Sequence, residues 1–224
     1  IVGAGAIGCL VGGQLAVQGH QVTMLGRAKL AQAVEENGLR LRWPDDSLQT
    51  VYPTIIKHPD HLSTPEAIDL VLVTVKSFDT AQAVHGLADE LAPGVWVLSL
   101  QNGVGNEELL QQLLPAQKIL AGSITLPVAV PSVGQIVVAK DKGGIGIAPV
   151  TGDQDFSPVT RALEQAGFTV AVYDDYRNLK WSKLLMNMIG NAIPAILDMP
   201  PGEALAHPRI FDLELAALAE ALAV

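Results

Sequence analysis

The first eight residues read Ile1-Val2-Gly3-Ala4-Gly5-Ala6-Ile7-Gly8 and fit the pattern G-x-G-x-x-G. In such a turn the first glycine allows a tight bend, the second lets backbone approach a pyrophosphate, and the third lets helix and strand pack closely. The pyrophosphate would lie on the N-terminus of the following helix, whose free N–H groups favour an anion. We therefore predict dinucleotide binding by Gly3, Gly5, Ala6, Ile7 and Gly8. The alternative is a glycine turn that only packs helix on strand.

Apolar strand-like runs alternate with helical patterns through the first half of the chain. Continuous apolar character is typical of strands buried on both faces of a parallel sheet, and alternation with helices indicates right-handed crossovers. We predict an α/β fold with a Rossmann-type, doubly wound, mostly parallel sheet. The predicted strands are 22–25, 69–75 and 95–100, and the predicted helices are 7–18, 28–36, 80–91 and 107–114.

Further along the chain the pattern changes. Strands are predicted at 119–125, 135–139 and 144–148, the last two joined as an edge hairpin by residues 140–143, then a helix at 157–165 and a strand at 168–172. Beyond Asp174 we predict only helices: one from Tyr176 to about Leu197, and a last one from about Pro208. The predicted domains are an NADP-binding Rossmann-like unit, 1–174, and an all-helical second domain, 175–224. Neither end of the chain has the pattern of a complete element, so we interpret the second domain as truncated.

Composition excludes several classes of protein. The 224 residues carry 14 basic and 23 acidic side chains, a net charge of −9, which gives no general attraction to nucleic acid or anionic lipid. One cysteine, Cys9, excludes an internal disulfide framework and a cysteine-based zinc cluster, and the acidic residues show no metal-site spacing. No uninterrupted apolar run reaches 18 residues. We expect a cytoplasmic protein with no metal, nucleic acid or membrane partner. The apolar helix 211–224 could contribute to a homodimer.

The end of the second strand bears on the choice of nucleotide. NAD-binding sites usually place an acidic residue there to accept hydrogen bonds from the ribose 2′-OH. This chain has Leu25-Gly26-Arg27 and then Lys29, with no acid. Because an arginine pairs well with a 2′-phosphate, Arg27 predicts NADP(H). The alternative is an ordinary solvated loop arginine.

Two polar clusters follow the central strands. Lys76 follows the strand 69–75, and Asn102 follows the strand 95–100. Ligands of open α/β sheets bind outside the carboxyl ends of the strands, so we expect both side chains at the mouth of the cofactor site. Strand-end lysines and Asn-Gly turns also occur for purely local reasons.

Three polar residues recur every four positions in the apolar segment 181–194: Lys183, Asn187 and Asn191. At this spacing they would project from one face of a helix, which we expect to be mostly buried. Buried polar groups need partners, and a cleft holding a polar ligand would supply them. An interhelical polar network or a dimer contact is the alternative. Pro194 predicts a kink or helix end beside Asn191.

Taken together, these motifs resemble the ketopantoate reductase family (2-dehydropantoate 2-reductase) in order and spacing over almost the whole chain. The segments that carry the resemblance are residues 3–8, 75–80, 101–105 and 181–184, with Asn187 and Asn191. The resemblance implies an NADPH-binding Rossmann domain and a helical domain, with the active site in the cleft between them. It implies reduction of the 2-oxo group of ketopantoate to pantoate, a step toward pantothenate and coenzyme A.

The resemblance also implies roles for single residues. Lys183 matches the catalytic lysine, Asn187 and Asn191 match substrate-binding asparagines, and Arg27 matches the 2′-phosphate contact. Lys76 and Asn102 match residues near both cofactor and substrate, and an active-site glutamate and serine would lie beyond residue 224. In this scheme Lys183 is the general acid. The alternative functions are reduction of another small 2-oxo or 3-oxo acid, and NADP(H) binding by a redox sensor without turnover.

Overall fold

The computed structural model describes residues 1–62, 67–140, 142–152 and 154–223. Its main sheet contains seven strands and the short segment around Val2, which bridges Leu25 on one side and Val73 on the other. The strands are β1 (Thr23–Leu25), β4 (Thr54–Ile56), β5 (Leu70–Val73), β6 (Trp96–Ser99), β7 (Lys118–Ile124), β10 (Ile145–Pro149) and β11 (Val170–Val172).

The order across this sheet is β4-β1-Val2-β5-β6-β7-β10-β11. Every neighbouring pair is parallel except β7 and β10. The chain runs outward from Val2 through β1 to β4, then crosses back to β5 on the other side of Val2. The strand order therefore reverses at Val2, directly before the glycine turn, and this is where doubly wound sheets form their ligand crevice.

A second, four-stranded sheet has the order β3-β2-β9-β8. Its strands are β2 (Leu39–Arg42), β3 (Leu48–Val51), β8 (Val128–Ser132) and β9 (Gln135–Val138). The helix that follows the glycine turn contacts all four strands of this second sheet, and a Cβ on its Gly12 would lie 2.7 Å from Met24 of the main sheet. Leu10 and Val11 of that helix are fully buried. This helix is apolar on all sides because both of its faces are covered.

Ten α-helices lie within the described residues. They are α1 (Ala6–Val17), α2 (Ala28–Asn37), α3 (Thr80–Ala83), α4 (Leu87–Glu90), α5 (Asn106–Leu113), α6 (Ser157–Gln165), α7 (Tyr176–Met188), α8 (Ala192–Leu197), α9 (Pro201–Ala206) and α10 (Pro208–Leu222). All elements after β11 are helices, and α7 packs against β7 and β10. The predicted α/β fold, with a mostly parallel sheet followed by helices, is confirmed.

The predicted edge hairpin of residues 135–139 and 144–148 is wrong. Strand β9 pairs with β8 and β2, whereas β10 pairs with β7 and β11 in the other sheet. The burial pattern explains the difference: β9 alternates between buried and half-buried residues, as one covered face requires, while β10 is buried along most of its length. The polar connection 140–143, of which residue 141 lies outside the described part, joins two sheets rather than two paired strands.

Two long helices of the prediction are interrupted. The predicted helix 80–91 is divided into α3 and α4, with Gly86 at a φ of 77° between them. The predicted helix from Tyr176 to about Leu197 is divided into α7 and α8, with Gly190 at a φ of 86°. The interruption beside Asn191 is the helix end that Pro194 predicted. The glycine before Asn191 adopts the left-handed conformation that ends the helix.

The expectation that the helix with Lys183 is mostly buried is also wrong. In α7 only Leu179 and Lys180 are buried, and Met186 is 64% exposed. Within the described part of the chain, no element covers the side of α7 that bears Met186. Residue 224, the end of the predicted second domain, lies outside the described residues. The domain boundary near Asp174 stays a prediction.

Candidate active site

The glycine turn has the geometry that each of its glycines was predicted to need. Gly3 has a φ of 103°, a backbone conformation that side chains with a Cβ rarely adopt. A Cβ on Gly5 would meet no atom within 4 Å, so a phosphate could approach the backbone there. A Cβ on Gly8 would collide with the carbonyl oxygen of Gly3 and, at 2.6 Å, with the hydroxyl of Thr74. The three positions therefore provide turn, open space and close packing, in that order.

Helix α1 begins directly at this turn. Gly5 is its N-cap, and no side chain caps the first turn. The amides of Ala6, Ile7 and Gly8 lie in that first turn, where backbone N–H groups have no partner within the helix. The first turn carries no acidic residue. The residues present fit a dinucleotide phosphate because no side chain of the described part of the chain caps these donors.

Arg27 lies at the carboxyl end of β1, as the sequence predicted. It is the N-cap residue of α2 and is exposed. Within the described ranges, no carboxylate lies within 4 Å of its guanidinium. Its five N–H donors are therefore available for a phosphate.

The loops after β5 and β6 are bonded to each other. Lys76 and Asn102 are both exposed at the carboxyl ends of these neighbouring strands. The Ser77 hydroxyl donates a 3.0 Å hydrogen bond to the main-chain carbonyl of Asn102, and the Asn106 side chain donates another of 3.0 Å to the same oxygen. The backbone of Asn102 is thus held on two sides while its side-chain amide remains exposed.

A buried glutamine connects these loops more deeply. Gln101 is 4% exposed, and its side-chain amide donates to the carbonyl of Val75 at 3.0 Å and to the hydroxyl of Thr80 at 2.7 Å. Val75 directly precedes Lys76, and Gln101 directly precedes Asn102. One side chain therefore fixes the positions from which both predicted site residues project.

Helix α7 is attached to the same glutamine by a buried lysine. The Lys180 ammonium, on a residue 4% exposed, donates to the main-chain carbonyls of Gln101 at 2.6 Å and Gly122 at 3.2 Å. It also lies 2.9 Å from Oε1 of Glu107, which is 1% exposed. Neither Glu107 oxygen accepts a hydrogen bond with good geometry from a described residue, so this contact is an ion pair rather than a directed bond.

Lys183 follows Lys180 by one helical turn and lies on the same side of α7. Its side chain is half-buried, and desolvation lowers the pKa of its ammonium below the ordinary value of 10.5. Asn187, also half-buried, lies one turn further along the same helix. Lys183 and Asn187 therefore share one helix face, as predicted.

The predicted row of three residues on one helix is wrong at its third member. Asn191 is separated from α7 by the break at Gly190 and is the exposed N-cap residue of α8. It lines an open depression of about 440 Å³ between the break and Pro201. The left-handed turn at Gly190 interrupts the helical periodicity on which the prediction depended.

Three residues of this region were not singled out as site residues from the sequence: Thr74, Gln101 and Lys180. The signal for Lys180 was its position three residues before Lys183 in an apolar helix, together with the paired acids Glu107 and Glu108 at the start of another helix. Since many lysines with this spacing are solvated, the pattern alone did not distinguish a buried lysine. In the described part of the chain, no group of three or more His, Cys, Asp or Glu residues could hold a metal ion.

The arrangement offers anion-binding donors at the glycine turn, and the bond from Lys180 to Gln101 attaches the helix that bears Lys183 to the loop that bears Asn102. An ammonium with a lowered pKa can give a proton to a developing oxyanion. Among the described residues, no helix is both long and apolar enough to cross a membrane.

Comparison with known families gives two matches that together cover most of the chain. Residues 1–152 match the family described as "Ketopantoate reductase PanE/ApbA". Residues 175–224 match "Ketopantoate reductase PanE/ApbA C terminal". The resemblance noted from the sequence motifs is thus confirmed.

Curated relatives carry a consistent name. The 2-dehydropantoate 2-reductase of Halobacterium salinarum is 34% identical over 236 residues, which cover 100% of this chain and 76% of the relative. That of Archaeoglobus fulgidus is 33% identical over 215 residues, covering 95% of this chain and 68% of the relative.

Solved structures have the same fold. A PanE/ApbA family ketopantoate reductase from Ralstonia eutropha has a TM-score of 0.87 at 32% identity, over 99% of this chain and 72% of that one. A D-mandelate dehydrogenase with NADH and anilino(oxo)acetate has a TM-score of 0.78 at 21% identity, over 88% of this chain and 63% of that one. The second likeness is evidence for the fold alone.

Proposed function

Because the chain belongs to the ketopantoate reductase family, we propose that it is an oxidoreductase that reduces the 2-oxo group of 2-dehydropantoate to (R)-pantoate, a step of pantothenate biosynthesis. One observation supports this proposal most. The glycine turn, Lys76, Asn102 and the helix with Lys183 are connected at one edge of the sheet by a chain of bonds through Thr74, Gln101 and Lys180.

A nicotinamide cofactor fits the glycine turn, and we propose NADP(H) as the nucleotide. The open space at Gly5 and the uncapped first turn of α1 favour the pyrophosphate. Arg27 is exposed at the end of β1 without an ion-pair partner in the described part, which favours a 2′-phosphate over a free 2′-hydroxyl. When bound, the reduced nicotinamide supplies the hydride that the C2 carbonyl carbon of the substrate accepts.

In this proposal Lys183 is the general acid. Reduction of the carbonyl carbon builds negative charge on its oxygen, and an ammonium beside that oxygen stabilises the transition state more than the ground state. The half-buried position of Lys183 lowers its pKa, which brings proton donation closer to neutral pH.

The amides and the strand-end lysine orient the substrate. Asn187 lies one turn beyond Lys183 on the same helix, and its amide can bond a hydroxyl or carboxylate group. Asn102 and Lys76 project from the two bonded loops toward the same edge, where they would contact cofactor ribose and substrate. Asn191, across the helix break, would contact the substrate from α8.

The test is the rate of NADPH oxidation by the full-length protein with ketopantoate, compared with a panel of other 2-oxo acids that includes pyruvate, 2-oxoisovalerate and phenylglyoxylate. A kcat/KM for ketopantoate at least about tenfold above every other acid, equivalent to about 1.4 kcal/mol, is the expected result. A higher kcat/KM for a different 2-oxo acid would support a reductase but would show that ketopantoate is not its substrate. Tight NADPH binding without turnover of any 2-oxo acid would favour the redox sensor. The homodimer and the cytoplasmic location remain predictions from the sequence.

A further inference from the structure

Lys180 has no role in the proposed chemistry, yet its ammonium is among the few charged groups buried in the described residues. It has three donors and three close acceptors: the carbonyls of Gln101 and Gly122 and the carboxylate of Glu107. Burial of an ion pair is an inefficient way to stabilise a fold, since apolar residues of the same volume do as well or better. A purely structural contact between α7 and the sheet would not require this lysine.

The acceptors of Lys180 connect it to the active site. The carbonyl of Gln101 belongs to the peptide group that continues into Asn102, so the 2.6 Å bond fixes the orientation of that peptide. The Gln101 side chain holds the carbonyl of Val75, directly before Lys76. Lys180 is therefore connected, through Gln101, to the main chain directly before Lys76 and directly before Asn102.

Lys180 also lies one turn before Lys183 on α7. Because a helical turn is stiff, a fixed Lys180 fixes the origin of the Lys183 side chain relative to the Asn102 loop. Glu107, in the first turn of α5 after the same loop, lies against the ammonium and balances its charge. A second, unbalanced positive charge one turn from Lys183 would disfavour the protonated form of Lys183.

We propose that Lys180 is a positioning residue, which through the Gln101 carbonyl and the Glu107 carboxylate sets the placement of Lys183 relative to Asn102. The expected effect on catalysis rests on the proposed function. The expected effect on the loop 101–105 rests on the structure alone. Reaction rates are sensitive to such placement because an error of about 1 Å can cost about a hundredfold in rate.

The experiment uses the full-length protein and two variants. Lys180→Met removes the ammonium but leaves the Glu107 carboxylate buried without a counter-charge, so we expect this variant to be strongly destabilised. The double variant Lys180→Met with Glu107→Leu removes both charges and keeps the volume, and its Tm should stay close to that of the wild type. Tyr176→Phe is the matched control, since it removes another bond between α7 and α5, the 3.0 Å bond from Tyr176 to Glu108, without touching Gln101.

Two readouts are needed. The first is steady-state kinetics with ketopantoate, in which the double variant should lose about tenfold or more in kcat while the KM for NADPH changes less than about twofold. The second is hydrogen–deuterium exchange of the peptide containing residues 100–106 in protein without cofactor or substrate, which should be faster in the double variant. Tyr176→Phe should retain wild-type kcat and wild-type exchange in this peptide.

A folded double variant with wild-type kcat and wild-type exchange would overturn the proposal. If the wild-type protein does not reduce ketopantoate, the proposed function fails, while the exchange measurement still decides whether Lys180 orders the loop. Faster exchange with unchanged kcat in an active enzyme would also overturn the positioning role, because the loop would then move without effect on the reaction.

Discussion

The hydroxyl of Thr74 donates a 2.5 Å hydrogen bond to the main-chain carbonyl of Gly3 and a 3.2 Å bond to that of Val2. Thr74 directly follows β5, and Gly3 begins the glycine turn, so this one side chain connects the turn to the neighbouring strand. A glycine in a free loop samples many backbone conformations, and the bond helps to restrict Gly3 to the one with a φ of 103°. The turn is therefore fixed before any nucleotide binds.

We expect Thr74→Val to lower the free energy of unfolding by about 1 kcal/mol, since it removes the hydroxyl bonds to the carbonyls of Gly3 and Val2 and leaves each with only its main-chain donor. It should also weaken NADPH binding, because the turn becomes less ordered. Equilibrium urea unfolding and fluorescence titration with NADPH measure the two effects. Thr50→Val is the control: Thr50 is exposed on the edge strand β3, and its change should alter neither quantity. Equal effects at both positions would show that the Gly3 bond has no special role.

The sheet and the glycine turn could be predicted from the sequence because both depend on local signals. The strands β5 and β6 are continuous apolar runs, which are typical of a sheet covered on both faces. A right-handed crossover between them predicts that they lie side by side and parallel. The second sheet was missed because its strands are only four or five residues long and because β3 and β8 are largely exposed, with Leu48 and Val130 exposed. Its strands β2 and β9 are far apart in the sequence, and pairing over that distance leaves no local signal.

The site was predictable in its residue types but not in its connections. Lys183 and Asn187 share a face because helical periodicity holds between them, whereas Asn191 does not because a single glycine at positive φ interrupts it. Gln101 and Lys180 could not be assigned, since their importance comes from burial and from bonds between strands and helices distant in sequence. Periodicity predicts which face a side chain occupies, and only tertiary packing decides what covers that face.

Cys9 should be almost unreactive in the folded protein. It is buried in α1, and desolvation raises the pKa of its thiol to about 12, so the reactive thiolate is roughly a thousandfold scarcer than for a thiol at the reference value of 9.0. Iodoacetamide labelling followed by mass spectrometry of the Cys9 peptide measures this directly. Labelling should be slow in native buffer and fast in urea. Rapid native labelling would contradict the buried position of α1 between its two sheets.

Gly190 should be intolerant of a side chain. Its φ of 86° is strained for any residue with a Cβ, and a Cβ there would meet Pro201 at 3.4 Å. We expect Gly190→Ala to lower the free energy of unfolding by about 1 kcal/mol or more and to displace Asn191 relative to Asn187. Thermal unfolding measures the first effect, and the KM for ketopantoate measures the second.

Gly202→Ala is the matched control for Gly190. Gly202 lies in helix α9, a Cβ on it would meet no atom within 4 Å, and its φ is not positive. Alanine there should leave stability unchanged or raise it by about 0.4–1 kcal/mol. If both substitutions have the same effect, the break between α7 and α8 does not depend on the left-handed turn.

Arg27 should determine the preference for NADPH over NADH. Hydrogen bonds to a charged group contribute about 1.5–3 kcal/mol, so Arg27→Ala should raise the KM for NADPH by about 10-fold to 100-fold and leave the KM for NADH almost unchanged. Lys29→Ala, which removes an exposed positive charge two residues away, is the control for general electrostatics. Steady-state kinetics with both nucleotides measure the difference. If Arg27→Ala raises the KM for NADPH and the KM for NADH by the same factor, Arg27 does not bind the 2′-phosphate.

The alkaline side of the pH profile should depend on Lys183. A general acid works only while protonated, and desolvation lowers the pKa of the Lys183 ammonium below 10.5, so kcat/KM for ketopantoate should fall as pH rises through that lowered pKa. Lys183→Ala should reduce kcat by about a hundredfold or more, with NADPH binding largely kept. Lys183→Arg retains the charge, but a guanidinium does not release its proton in this range. The residual rate of this variant should therefore be low and lack the alkaline decline. An unchanged decline in Lys183→Arg would assign the titrating group to another residue, and full turnover in Lys183→Ala would exclude Lys183 from proton transfer.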